Sequence, residues 1–207
     1  MYWLPFALTS ALALSAADAL SKKALRGSDD IVIAWVREGY ALPFLAFGFF
    51  FFPMPSLDAT FWITVAALLP IEITALILYV RAIRVSPLSL TVPFMALSPV
   101  FIIFFAFIFL GEAPSVPGAA GIVLIAAGAY VLNANAFRHG VFGPVKAIFK
   151  EPGSVLMIIV ALIYSLTSTL GKVAVEHSSP VFFGFFYSFL LTLVMTVYAA
   201  YKGKIRH

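Results

Sequence analysis

The sequence predicts an all-α integral membrane protein of seven transmembrane helices: a five-helix unit followed by two helices of an inverted second copy. Three observations carry that expectation, namely composition, the spacing of apolar runs and the charge of the segments between them. Of 207 residues, 63% are hydrophobic and only 11% charged, with a mean hydropathy of +1.06. A soluble domain is about half apolar and roughly a quarter charged. This chain would expose more apolar surface in water than a compact fold could hide, so lipid is the expected solvent. The absence of Cys leaves no disulfide framework and no thiolate metal site.

A helix needs about 20 residues to cross the hydrocarbon core. Residues 2–20 are too long for a signal-peptide core and have no basic residue ahead of them, so they read as a first span. Further spans are expected at 31–52, 59–80, 88–110, 116–132, 155–174 and 181–201. The fifth is the shortest, and its Pro117 is tolerable in a first turn. The runs are continuously apolar rather than alternating, which excludes barrel strands.

Eleven of the 13 Lys and Arg follow odd-numbered spans: Lys22, Lys23, Arg26, Arg81, Arg84, Arg138, Lys146, Lys150, Lys202, Lys204 and Arg206. The opposite segments, Pro53–Asp58, Gly111–Ser115 and Glu176–Pro180, hold none. By the positive-inside rule the basic side is cytoplasmic, which places the N-terminus outside and the C-terminus inside. A formal charge of +4 could suit nucleic acid, but its scatter between apolar runs assigns it to membrane orientation instead.

Sliding the chain by 150 positions lays Leu20-Ser21-Lys22-Lys23-Ala24-Leu25 over Leu170-Gly171-Lys172-Val173-Ala174-Val175. An offset of five helices is odd, so the two copies would cross in opposite directions, a building plan common among secondary transporters. The expected organisation is a first unit over 1–135, a basic cytoplasmic linker over 136–154, and two helices of a second unit over 155–207.

Within the first unit lie Leu97-Ser98-Pro99-Val100, the turn Leu110-Gly111-Glu112, and a final helix carrying Gly118, Gly121 and Gly128. This stretch, from Leu78 to Leu132, resembles the EamA domain of the drug/metabolite transporter superfamily. Lys22 or Lys23 and Arg37 fall where that family commonly has a Lys after helix one and an Arg in helix two, and the second copy enters with Tyr164 and Gly171-Lys172. The resemblance implies a secondary-active membrane transporter, an exporter of a small metabolite working by alternating access. The family's usual plan is two five-helix units. The expected alternative is therefore a non-autonomous assembly subunit or truncated transporter, completed by a second copy or a partner chain.

Charges inside spans are the sharpest local signal, because a charge at the bilayer centre costs about 2.5–3.5 kcal/mol even on insertion scales. Arg37 and Glu38 lie in the second span and Glu72 past the middle of the third, with Asp18 near the inner end of the first. Arg37 and Glu38 are adjacent, so their side chains diverge and each needs a partner elsewhere, with Asp18 and Glu72 the available acids and Lys22, Lys23 and Lys172 the available bases. The functional expectation is a cavity lined by Arg37, Glu38 and Glu72, joined by Lys172 and Tyr164, that binds a polar metabolite or relays a proton. Snorkelling of Arg37 to an interface is the structural alternative.

Pro93 and Pro99 in the fourth span free backbone carbonyls, so a hinge or a static kink is expected there. Gly121 and Gly128 share a helix face, where small residues allow close helix packing. His139, His177 and His207 form no metal-type spacing, no Gly-Lys-Ser/Thr phosphate loop is present, and no nucleophile constellation suggests an enzyme. Neither cofactor nor metal is expected. The partners are the lipid bilayer and a small-molecule substrate, in a cell membrane of the bacterial inner-membrane type.

Overall fold

The computed structural model describes residues 3–44, 54–131 and 148–204, and among these there is no strand. The helices are α1 (Trp3–Ala24), α2 (Asp30–Gly39), α3 (Ala59–Val85), α4 (Leu88–Thr91), α5 (Ser98–Leu110), α6 (Val116–Val131), α7 (Pro152–Glu176) and α8 (Pro180–Tyr201). A 3₁₀ segment, Val92–Leu97, joins α4 to α5. Five stretches are long and apolar enough to cross a bilayer: α1, α3, α4 through α5, α7 and α8. The chain is therefore a multi-pass helical membrane protein.

The remaining two of the seven expected spans are shorter where they are described. α6 has 16 residues. The span expected at 31–52 is interrupted by a turn at Tyr40 and Ala41, and its residues 45–52 lie outside the described ones. Pro43 accounts for the interruption, because it has no N–H for the carbonyl of Gly39, four residues back, and its ring crowds that turn. The linker expected at 136–154 is outside the described residues up to 147.

Helix ends are set by local chemistry. Asp29 caps α2 by accepting from the Ile31 N–H, Asp58 caps α3 through the Phe61 N–H, and Ser179 caps α8 through the Phe182 N–H. The Asp29 and Asp58 carboxylates sit at the positive ends of helix dipoles. Gly111 ends α5 at φ 67, a left-handed conformation that favours glycine, and its N–H donates to the Phe107 carbonyl. At the far end of α3 the Lys22 ammonium donates to the carbonyls of Ile83, Arg84 and Ser86 at 2.6, 3.0 and 3.0 Å. It thereby supplies a cation where the last carbonyls have no intrahelical donors.

Contacts between helix ends sort the chain into two poles. At one pole Arg84 pairs with Asp30 at 2.6 Å and Lys204 with Asp29 at 2.8 Å, and Ser86 donates to Glu151. At the other, His177 meets Asp58 at 2.6 Å and Lys172 pairs with Glu112. Alternate helix ends thus share a pole, the up-and-down crossing that the loop charges imply.

α7 packs along α3 and the broken fourth span, with Met157, Val160, Ala161 and Ser165 on its buried face. Gly153 permits the closest approach: a Cβ there would strike the side chains of Ser86 and Thr91. Two clusters fill the interior, one around Ile83, Val80, Met157, Val160 and Met195, and the other around Phe61, Val65, Ala174 and Phe182. In lipid, such interfaces hold by close van der Waals fit and polar links rather than by exclusion of water.

Candidate functional site

The break in the fourth span follows from its prolines. Pro93 stands in the first turn of the 3₁₀ segment and Pro99 in the first turn of α5. The Leu90 carbonyl, three residues ahead of Pro93, accepts instead from Ser154 Oγ of α7 at 2.7 Å, and the Ser98 carbonyl accepts from Ser165 Oγ at 2.9 Å. Hydroxyls of a neighbouring helix commonly stabilise broken backbone at membrane depth in this way. Thr91 bonds the Pro87 carbonyl at 3.1 Å, while the Ser98 hydroxyl is buried with no partner among the described residues.

Beside this break lies a cavity of 480 Å³, lined by Ser15 and Asp18 of α1, Arg37 and Glu38 of α2, Tyr79 of α3, Val92 and Met95 of the 3₁₀ segment, and Tyr164 of α7. Arg37 does not snorkel. Its guanidinium donates to Asp18 at 2.7 Å and to Ser21 Oγ at 3.2 Å, and lies 5.0 Å from the centroid of the Tyr79 ring. Tyr79 in turn donates its hydroxyl to the second Asp18 oxygen at 2.7 Å. Asp18 is therefore bonded at both oxygens, and the Arg37 charge is neutralised.

A second cavity, of 460 Å³, lies toward the opposite pole and is lined by Leu68, Glu72, Thr167, Ser168, Lys172 and Tyr187 among others. The Thr167 hydroxyl donates to the Tyr164 carbonyl at 3.3 Å. The Tyr187 hydroxyl is buried without a partner among the described residues. The Tyr79 and Tyr164 rings, 6.5 Å apart, both line the first cavity.

The three side chains expected in one cavity, Arg37, Glu38 and Glu72, line two adjoining ones, and Glu38 and Glu72 lie near enough to act on each other and both on Tyr164 electrostatically. Arg37, Glu38 and Tyr164 line the first cavity, and Glu72 and Lys172 the second. Lys172 turns to Glu112 at the surface rather than to Glu72. Neither Glu38 nor Glu72 takes part in an ion pair among the described residues. Asp18 and Tyr79 are the members that sequence reasoning did not place in the site. Asp18 carried a signal, being an acid inside a span, whereas Tyr79 carried none in an apolar run. Gly121 and Gly128 lie away from both cavities, and a Cβ at either would meet nothing within 4 Å among the described residues.

Several apolar helices long enough to cross a bilayer, with a proline-broken span among them and charged side chains lining two open cavities, make a multi-pass membrane protein. The sequence profile of the EamA-like transporter family matches residues 1–134. The chain belongs to that family, within the drug/metabolite transporter superfamily. Neither the search of curated proteins nor that of solved structures finds a match.

Proposed function

We propose that the chain is a secondary-active exporter of a small polar metabolite, working by alternating access about the level of Tyr79 and Tyr164. The observation that supports this best is the pairing of the two cavities, displaced toward opposite poles and each holding a carboxylate with no ion-pair partner among the described residues, Glu38 in one and Glu72 in the other. An uncompensated carboxylate at membrane depth is costly, and such groups characteristically bind substrates or carry protons. Arg37 is neutralised by Asp18, so the reading assigns it to holding α1 against α2, with Glu38 and Glu72 as binding or coupling groups. The 3₁₀ break at Pro93, whose Val92 and Met95 line the first cavity, supplies the hinge; short 3₁₀ stretches within helices often serve so.

In this reading the protein has seven spans in a cell membrane of the bacterial inner-membrane type, with the N-terminus out and the C-terminus in the cytoplasm. The full chain in proteoliposomes, offered amino acids, nucleobases and organic cations in turn, should accumulate or release at least one class. Glu72→Gln should abolish that flux while leaving helical content unchanged; flux equal to the unaltered chain would remove Glu72 from the site. A second reading, a subunit that works only with a second copy or a partner chain, draws on the open face around Gly121 and Gly128. Cross-linking in native membranes separates the two, because full transport by a monomer contradicts the second.

A further inference from the structure

At the pole where α1 and α3 end, a cleft of 590 Å³ is lined by Ala19, Lys22, Lys23, Leu25, Arg26 and Arg84. Neither proposed cavity shares any of these residues. Four cations meet here, and their acidic partners can be followed among the described residues. The chain has nine acids, and the described residues contain every one of them. Asp30 pairs with Arg84, while Asp18, Asp29, Asp58 and Glu112 are paired with Arg37, Lys204, His177 and Lys172. Glu151 accepts from Ser86, and none of the nine pairs with Lys22, Lys23 or Arg26.

Lys22 is committed to the three carbonyls at the end of α3. Lys23 and Arg26 are exposed, and their side chains have no hydrogen-bond or ion-pair partner among the described residues. Among the described residues the cleft therefore carries a positive charge that no acid neutralises, with Lys23 and Arg26 unpartnered. Its surroundings are apolar on the membrane side: Leu20 is 67% exposed and Val85 46% exposed, and α1 continues away from it with Leu12 at 73%. A site for a soluble anion needs no such wall.

We propose that this cleft binds the phosphodiester headgroup of an anionic phospholipid, with Lys23 and Arg26 on the phosphate and the acyl chains along the exposed side of α1. Basic pockets between helix ends at the membrane surface recognise anionic headgroups by this combination of charge and adjoining apolar surface. The site is independent of whether, or what, the protein transports.

The test uses the full chain extracted in neutral detergent and incubated with equimolar phosphatidylglycerol and phosphatidylcholine, with retained lipid read by native mass spectrometry. Phosphatidylglycerol should be retained in preference. The pair Lys23→Gln and Arg26→Gln should weaken that retention by about 30-fold, the effect of removing two surface cations. Lys23→Arg with Arg26→Lys should keep it, and Arg81→Gln, a cation on α3 outside the cleft, should leave it unchanged. Equal retention of the two lipids, retention unaffected by the Gln pair, or an equal loss in Arg81→Gln would overturn the proposal. Displacement of the lipid by millimolar inorganic phosphate would overturn it in favour of a soluble phosphate compound.

Discussion

Replacing Asp18 by Asn removes the charge that neutralises Arg37 while keeping the shape of the side chain. In the native arrangement Asp18 accepts from Arg37 at 2.7 Å and from Tyr79 at 2.7 Å, and the two charged side chains are only 8% and 14% exposed. Removing one partner of a buried pair costs about 3–5 kcal/mol, because the other charge is left uncompensated. Arg37 would retain only Ser21 Oγ at 3.2 Å and the face of Tyr79. Those contacts, and the acceptor oxygen that Asn keeps, place the expected loss at the lower end, about 3 kcal/mol. Unfolding of the purified chain in mixed micelles by a graded denaturing detergent should show that loss as a shifted midpoint. Arg37→Gln alone should cost a similar amount, since it strands Asp18. The double variant should cost much less than the sum, because neither charge is then left alone. An Asp18→Asn variant within about 0.5 kcal/mol of the native chain, or strict additivity in the double variant, would refute the pairing as a source of stability.

Other consequences follow from the same geometry. Gly153→Ala should destabilise by about 1–3 kcal/mol in the same assay, because its Cβ would meet the buried Thr91 methyl at 2.6 Å and Ser86 cannot yield without releasing the Gly153 N–H. Gly121→Ala should cost the isolated chain nothing measurable and can raise helix stability by up to about 1 kcal/mol, since no atom of another described element lies within 4 Å of the new methyl; a loss seen only in membranes would reveal a helix from another chain on that face. The Asp29 carboxyl is held below its ordinary value of 3.8, chiefly by the hydrogen bond from Lys204 and then by the Ile31 N–H. A depressed carboxyl stabilises above its unfolded value and loses that contribution as pH falls through the folded one. Asp29→Asn should therefore flatten the acid side of the thermal-stability profile from that value downward, with little change in the slope near neutrality.

Membrane residence was legible in the sequence because lipid imposes length and polarity on every span, and loop charge sets their alternation. The ion pairs Arg84–Asp30 and Lys204–Asp29 at one pole and the His177–Asp58 contact at the other reproduce that alternation in space. The break in the fourth span was visible for a covalent reason, since Pro93 and Pro99 have no N–H to give. The turn after Gly39 escaped because apolar character continues past it, and hydropathy is blind to a missing donor at Pro43. The site was legible only in part. A charge within a span announces itself, so Arg37, Glu38 and Glu72 could be named, but sequence spacing does not say which faces of different helices meet. That is why Asp18 could not be named in advance, over Glu38 or Glu72, as the partner of Arg37, and why Tyr79, chemically ordinary in an apolar run, gave no sign of its bond to Asp18.

The central claim is that two polar cavities, displaced toward opposite poles, exchange access about one level of the bundle. The chain has no Cys, so single cysteines can report each cavity without background. Ser15→Cys lines the cavity of Arg37 and Glu38, and Ser168→Cys lines that of Glu72. In oriented proteoliposomes, a membrane-impermeant maleimide should label the first from the basic pole and the second from the opposite pole. Imposing a proton gradient or adding a transported compound should change the two rates reciprocally, one rising as the other falls. Labelling of both positions from the same side, or rates that ignore gradient and substrate alike, would contradict the account.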